Sequence, residues 1–302
     1  MIDRERPARG GTDRERPGRS GTDRERPGRS GTDRERPGRS GTGRERPGRT
    51  VELDRAVSDL VGFVLVFSLV ISVVAIISVG GLNALQTARD AEQVNNAERA
   101  FEVLSDNVDD VVRRDAPSRA TEISLSENSI RLADPIQVEV RDPNQSDPTF
   151  LENRTFQPHP IIYDAGGTEL VYVMGAVFRV ESDGGGTVLE SWSPVLEPER
   201  THIPVVDTAS ATDGNPSIQG STVLVHAIAN SRRVAVGDES GQFDDVWINI
   251  TSPRRDLWLR MLDSHPELSC STAGPQRVEC QLGYVPQRLY VVDYRLAIAL
   301  ES

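Results

Sequence analysis

Residues 60–82 read LVGFVLVFSLVISVVAIISVGGL and carry no charge. Wound as a helix, these 23 residues cover roughly 34 Å, enough to cross a hydrocarbon core of about 30 Å. A secretory signal peptide has a shorter apolar core followed by a small-residue cleavage site. Here the apolar run passes straight into a polar helical pattern, so a membrane-spanning helix over about 58–82 is expected to stay as an anchor.

Beyond the span, Val94, Ala97, Phe101, Leu104, Val108 and Val111 recur three and four residues apart, the spacing of one apolar seam on a helix. Gly80 and Gly81 allow a bend, and Ala116-Pro117 should end the helix. Such a seam needs cover, either from the chain's own globular domain or from the same helix in neighbouring subunits. From Thr121 the apolar period changes to two. EISL, SIRLA, IQVEV, ELVYV, AVFRVE and TVLESW read as short strands, with Met174-Gly175 as a hairpin turn between ELVYV and AVFRVE. Arg288 to Glu301 aligns Tyr290, Val292, Tyr294, Leu296, Ile298 and Leu300 on one face and is expected to be a central strand. One helix interrupts the sheet. Ser252 suits its cap, Pro253 its first turn, and Leu257, Trp258, Met261 and Leu262 form its apolar stripe before Pro266.

The fold class expected is therefore α+β. A long N-terminal membrane-spanning helix continues into an amphipathic stem (51–116), and an antiparallel β-sheet or sandwich domain with one short helix follows (117–302).

Residues 1–50 stand apart. Four copies of a ten-residue unit fill 11–50, GTDRERPGRS three times and GTGRERPGRT once, after a partial copy in 2–9. Ten is not a solenoid period, and the unit offers no apolar surface to bury, so this segment is expected to be disordered. It reads either as a flexible cytoplasmic arm touching anionic lipid or as upstream repeat DNA translated in error, with Val51 as an alternative start.

Charge divides along the same line. No lysine occurs, and all 34 basic residues are arginine. Residues 1–50 hold 15 Arg against 9 acids, and residues 51–302 hold 19 Arg against 37 acids. A lysine-free acidic surface repels itself in dilute buffer, but at molar salt the Debye length falls to about 3 Å and screens the repulsion, which points to a halophile. The acidic domain lacks the basic footprint nucleic acid requires. Residues 36–56 carry six arginines and 83–102 carry two, so the positive-inside rule places the N-terminus in the cytoplasm and the large domain outside, at the cell membrane. Membrane lipid is the first partner implied.

Nothing in the motifs argues for catalysis or a cofactor. His159, His202, His226 and His265 are scattered without ligand spacing, and no nucleophile elbow, phosphate loop or dinucleotide fingerprint occurs. Asp109-Asp110 and Asp244-Asp245 lack the spaced oxygen ligands of a Ca²⁺ loop and read as solvated acids. Cys270 and Cys280 flank STAGPQRVE, whose Gly-Pro signals a turn. They are either a disulfide across a hairpin or two half-buried thiols. The sequons at Asn144, Asn153 and Asn249 are glycan acceptors by pattern. The first two lie in a polar, proline-punctuated loop, the third in a strand-like stretch.

Arg55-Ala56-Val57-Ser58, followed at once by the apolar run, resembles the start of type IV pilins and pilin-like proteins of haloarchaea. YDAGGTELVY with AVFRV is similar to pilin-like membrane proteins of that group whose function is uncharacterised. The resemblance implies a peptidase that recognises Arg55-Ala56 and leaves Val57 as the first mature residue. It also implies like subunits or other pilin-like proteins as partners, in a pilus-like filament or envelope complex. Asp59 stands where those pilins commonly have proline, and the leader would be 56 residues long. Asp59 either caps the span at the headgroup layer or pairs, as a carboxylate, with a neighbouring subunit's terminal ammonium and so sets the register of assembly. The other reading keeps the span uncut and makes the β domain a monomeric surface-binding module.

Overall fold

The computed structural model describes the backbone of residues 50–142, 154–237 and 243–302, and side chains from residue 58 onward within them. Helix α1 (Thr50–Arg113) comes first and runs through Gly80 and Gly81 without interruption. It is followed by β1 (Ser118–Ser124), β2 (Ser129–Leu132), β3 (Gln137–Arg141), β4 (Thr155–Phe156), β5 (Ile161–Asp164) and β6 (Thr168–Val173). Next come β7 (Ala176–Glu181), β8 (Gly186–Glu190), β9 (Val195–Leu196), β10 (Thr201–Ser210), β11 (Ser217–Gln219) and β12 (Thr222–Val236). The chain closes with β13 (Trp247–Thr251), α2 (Arg255–Leu262), β14 (Leu268–Thr272), β15 (Arg277–Leu282) and β16 (Leu289–Glu301). The repeats of 1–49 lie outside the described residues. One long apolar helix followed by a β-rich domain with one short helix is the α+β arrangement expected.

The chain divides into two units, one ending at Ser68 and the other Leu69–Ser302. In the first, the described side chains, from Ser58 to Ser68, are all exposed, with Phe63 and Phe67 stacked one turn apart at 5.9 Å. Among its described residues the second contains three sheets, in the orders β1-β12-β16-β10-β9, β11-β2-β5-β6-β7-β8 and β14-β15-β13-β3-β4.

The second sheet lies between two cores, because its strands are apolar on both faces. Ile161, Tyr163, Leu170, Tyr172 and Val177 face one core together with the stem of α1. Ile162, Val171, Val173, Ala176 and Phe178 face the other, together with α2 and the third sheet. The stem seam is consumed here. Ala97, Phe101, Leu104, Val108 and Val111 are at most 5 % exposed and pack on the first two sheets. Phe101 meets Tyr163 edge-on at 6.5 Å. Each such large side chain contributes roughly 1.5–3 kcal/mol by burial. Polar clamps flank the seam, Arg179 donating to Glu98 at 2.8 Å and Asn107 to Thr121 at 2.9 Å. The cover for the seam is thus the chain's own domain.

Two local expectations change. β10 and β16 pair in parallel, whereas an antiparallel sheet was expected throughout. Five strands and α2 intervene between them, which is ample for the crossover that a parallel pair requires. α2 begins at Arg255, with Arg254 in the cap position and no side-chain cap. Ser252 Oγ instead accepts the Arg254 N–H at 3.2 Å, so it closes the turn before the helix. The stripe Leu257, Trp258, Met261 and Leu262 is buried as read, with Trp258 edge-on to Phe178 at 5.2 Å. β16 is the middle strand of its five-stranded sheet. Val291, Val292 and Asp293 are buried in succession, so its first half is covered on both faces, and Leu289 and Val291 enter one core while Leu296 and Ile298 further on enter the other.

Candidate functional site

The apolar half of α1, long and apolar enough to cross a membrane, is the first feature with functional content. From Leu60 to Leu82 the large apolar side chains are 45–72 % exposed, a degree of apolar exposure that lipid tolerates and water does not. The helix stays exposed through Glu92, and the domain's grip begins at Gln93 and Val94. Ten residues separate Leu82 from Gln93, about 15 Å of helix. That exceeds the roughly 5–7 Å of headgroup layer on one side of a bilayer.

Arg55, Ala56 and Val57 lie within the helical backbone of α1, and Asp59 is exposed just before the apolar run. Cys270 and Cys280 face each other across β14 and β15. They form a disulfide with Cα atoms 4.1 Å apart, and Cys280 is fully buried. Asn144 and Asn153 lie outside the described residues. Asn249 is a different matter. It is 1 % exposed, and with its amide oriented to suit its neighbours the oxygen accepts from Arg277 at 2.9 Å and Arg141 at 2.7 Å. Those arginines are held by Glu139 and Glu279. A glycan on Asn249 would have to displace this ladder, so the packing speaks against its use as an acceptor in the folded domain.

The four histidines remain apart. His159 Nδ1 contacts the Ala133 carbonyl at 2.8 Å, and His226 lies 3.4 Å from Glu301. Among the described residues, no group of three or more His, Cys, Asp or Glu side chains is placed to hold a metal ion. The acid pairs are only partly solvated: Asp110 binds Arg114 and Arg119 and the Asp245 carboxylate accepts from Trp247 Nε1 at 2.8 Å and Gln281 at 2.9 Å, while Asp244 is exposed as read.

Periodicity gave no hint of a cleft of about 180 Å³ at the stem's last turns. Asp106, Asp109 and Arg113 line it from α1, and the Met174-Gly175 turn, Glu190, Trp192, His202 and Tyr294 from the sheets. Arg113 Nε pairs with Asp109 at 3.2 Å. Burial holds the Asp109 carboxyl above its ordinary range despite that pairing. Burial, aided by Arg200 and Arg113, holds the His202 imidazole below its own. Trp192 is fixed by donating Nε1–H to the Pro204 carbonyl at 2.9 Å. Met174 has φ +55° and is fully buried. Both residues of this turn have positive φ, as a two-residue hairpin of the primed type requires, in a place where Asn or Gly is usual. A buried turn is why an apolar residue occupies it.

The arrangement defines a class: a β-rich domain carried on one helix long and apolar enough to cross a membrane. Residues 55–299 match a family of unknown function, DUF7289, and the chain belongs to that family. The match begins at Arg55 and takes in the apolar helix, the stem and the β domain, leaving the repeats outside. Comparison with curated proteins and with solved structures gave no match.

Proposed function

We propose that this protein is a pilin-like, single-pass surface protein of a halophile, with its N-terminus in the cytoplasm and its acidic β domain outside, acting as a structural subunit of a filament or envelope complex. The observation that carries this reading is the division of labour within α1. The seam from Ala97 to Val111 is used up by the chain's own domain, while the large apolar side chains from Leu60 to Leu82 are exposed among the described residues. That apolar stretch is therefore available to lipid and to like helices. The Arg55-Ala56 pair at the start of the family match supports processing there.

The uncut, monomeric binding module is the second reading, and one observation favours it. With the stem seam already covered, a partner helix can engage only the segment before it, so any assembly must be built on the anchor.

Protease treatment of intact cells, followed by an alkaline wash of the membranes, tests anchor and orientation together. The expected result is loss of the β domain with the apolar segment retained in the pellet. Release of intact chain by the wash would overturn the anchor. Protection of the domain until lysis would overturn the orientation.

A further inference from the structure

The outer face of the third sheet is ordered well beyond what packing requires. Alternation along its strands sends Val138, Ile248, Ile250 and Val278 into the core, so the residues between them face outward. The strands β3, β13, β15 and β14 pair without a register shift. One outward row crosses the whole sheet, with Thr155, Glu139, Asn249, Glu279 and Ser271 directly opposite one another. With neighbouring strands about 4.8 Å apart, that row is roughly 19 Å long. Beside it runs a second row, Arg141, Trp247, Gln281 and Ser269.

The charged groups of this face fix one another. Arg277 donates to Glu139 and to Glu279 at 2.9 Å each, Arg141 reaches Glu279 at 3.4 Å, and the suitably oriented Asn249 amide bridges both arginines. Trp247 donates its indole N–H to Asp245 at 2.8 Å, with the Arg141 guanidinium over its ring at 5.9 Å from the centroid. Solvent still reaches the lattice, since Arg141 keeps 41 % of its side-chain surface exposed and Arg277 30 %. Ion pairs so exposed add little to stability. What they supply is preorganisation, because long side chains that a ligand would otherwise have to immobilise are already held. Around them, the exposed hydroxyls of Thr155, Ser269 and Ser271 have no hydrogen-bond partner among the described residues.

Charge decides the class of ligand. Each carboxylate of the face already accepts from a fixed donor, Glu139 and Glu279 from Arg277 and Asp245 from Gln281, and no group of acids among the described residues is placed to hold a metal ion. A polyanion is repelled by a chain that holds 19 Arg against 37 acids in residues 51–302. A neutral polyhydroxylated chain meets neither obstacle. Its hydroxyls both donate and accept, and the C–H face of a sugar ring is apolar enough to lie on an indole. We infer that the outer face of the third sheet binds a neutral, extended, equatorially linked oligosaccharide, laid across the strands over these two rows with one ring on Trp247. A flat face selects an extended chain over a coiled one, because more of its rings touch the surface.

The test uses tryptophan as its reporter. Of the three tryptophans, Trp192 and Trp258 are only 2 % and 0 % exposed, so quenching by acrylamide reads Trp247. Cellohexaose, neutral and extended, should bind the full chain in nanodiscs saturably at constant total salt and shield that fluorescence from the quencher. Maltohexaose, the same sugar coiled by its axial linkages, and cellouronate, the same chain with a carboxylate on every ring, should each bind at least about tenfold more weakly. Ser271→Arg puts bulk on the row at an exposed position and should weaken cellohexaose by at least about tenfold with the denaturation midpoint unchanged. Trp247→Ala should do the same, read by isothermal titration. If that variant is unfolded, Ser271→Arg and Ser269→Arg decide the matter. No saturable cellohexaose binding, equal binding of either comparison chain, or undiminished binding to folded Ser271→Arg protein would overturn the proposal without touching the anchoring reading.

Discussion

At the scale of single residues, burial rather than residue type decides roles. Asn249 fits a glycosylation pattern, yet at 1 % exposure it serves as a hydrogen-bonding bridge between two arginines. Asp293 is wholly buried in β16, where Arg233 and Arg295 contact one of its oxygens at 3.4 and 3.0 Å and the other has no partner. His202 gives a pH prediction. Its folded-state pKa is lowered, first by burial and then by Arg200 and Arg113, so the folded protein resists protonation more than the unfolded chain does. The contribution is fully present above the ordinary value of 6.5 and is lost as pH falls from there through the lower folded-state value. Asp109 and Asp207, raised mainly by burial, act in the opposite sense at lower pH. Denaturation midpoints measured from about pH 7.5 to 5.5 should therefore decline, and His202→Gln should flatten the decline. Parallel slopes in the two proteins would show that His202 is not the group responsible.

At the scale of elements, local pattern was informative wherever one face of one element decides the outcome. The uncharged run 60–82, the seam from Val94 to Val111, the α2 stripe, the Met174-Gly175 hairpin and the central position of β16 were all legible in that way. What stayed hidden depends on pairing between distant segments. The parallel union of β10 with β16 links residues nearly ninety apart, and no alternation announces it. The double-faced burial of β5 to β7 shows only as continuous apolar runs such as LVYV, which a half-buried strand can also contain. The cleft was hidden for the same reason, because its walls come from α1, the β6–β7 turn and strands far along the chain. The β14–β15 hairpin carries the prediction that belongs here. A disulfide closing so short a loop should stabilise by about 2–3 kcal/mol, and Cys280 anchors it in the core. Cys270→Ser with Cys280→Ser should lower the denaturation midpoint accordingly, and unreduced native protein should resist alkylation at both positions. Full labelling without reductant would contradict the bridge.

At the scale of the molecule, the account rests on one helix with two kinds of surroundings and on charge distributed to match. On the proposed reading, the acidic, lysine-free domain suits molar salt, and the residues from Asn83 to Glu92 serve as the spacer that carries the chain past the headgroup layer. Pilin-like behaviour adds a single covalent event to this design, a cut between Ala56 and Val57 that frees an amino terminus near Asp59. Intact mass of the protein taken from its native membranes tests that event most directly. The account predicts a chain that begins at Val57 and continues to the disulfide-closed β domain. A native chain in which Arg55 is still joined through Ala56 to Val57 would contradict the filament-subunit reading and leave an uncut, anchored binding module in its place.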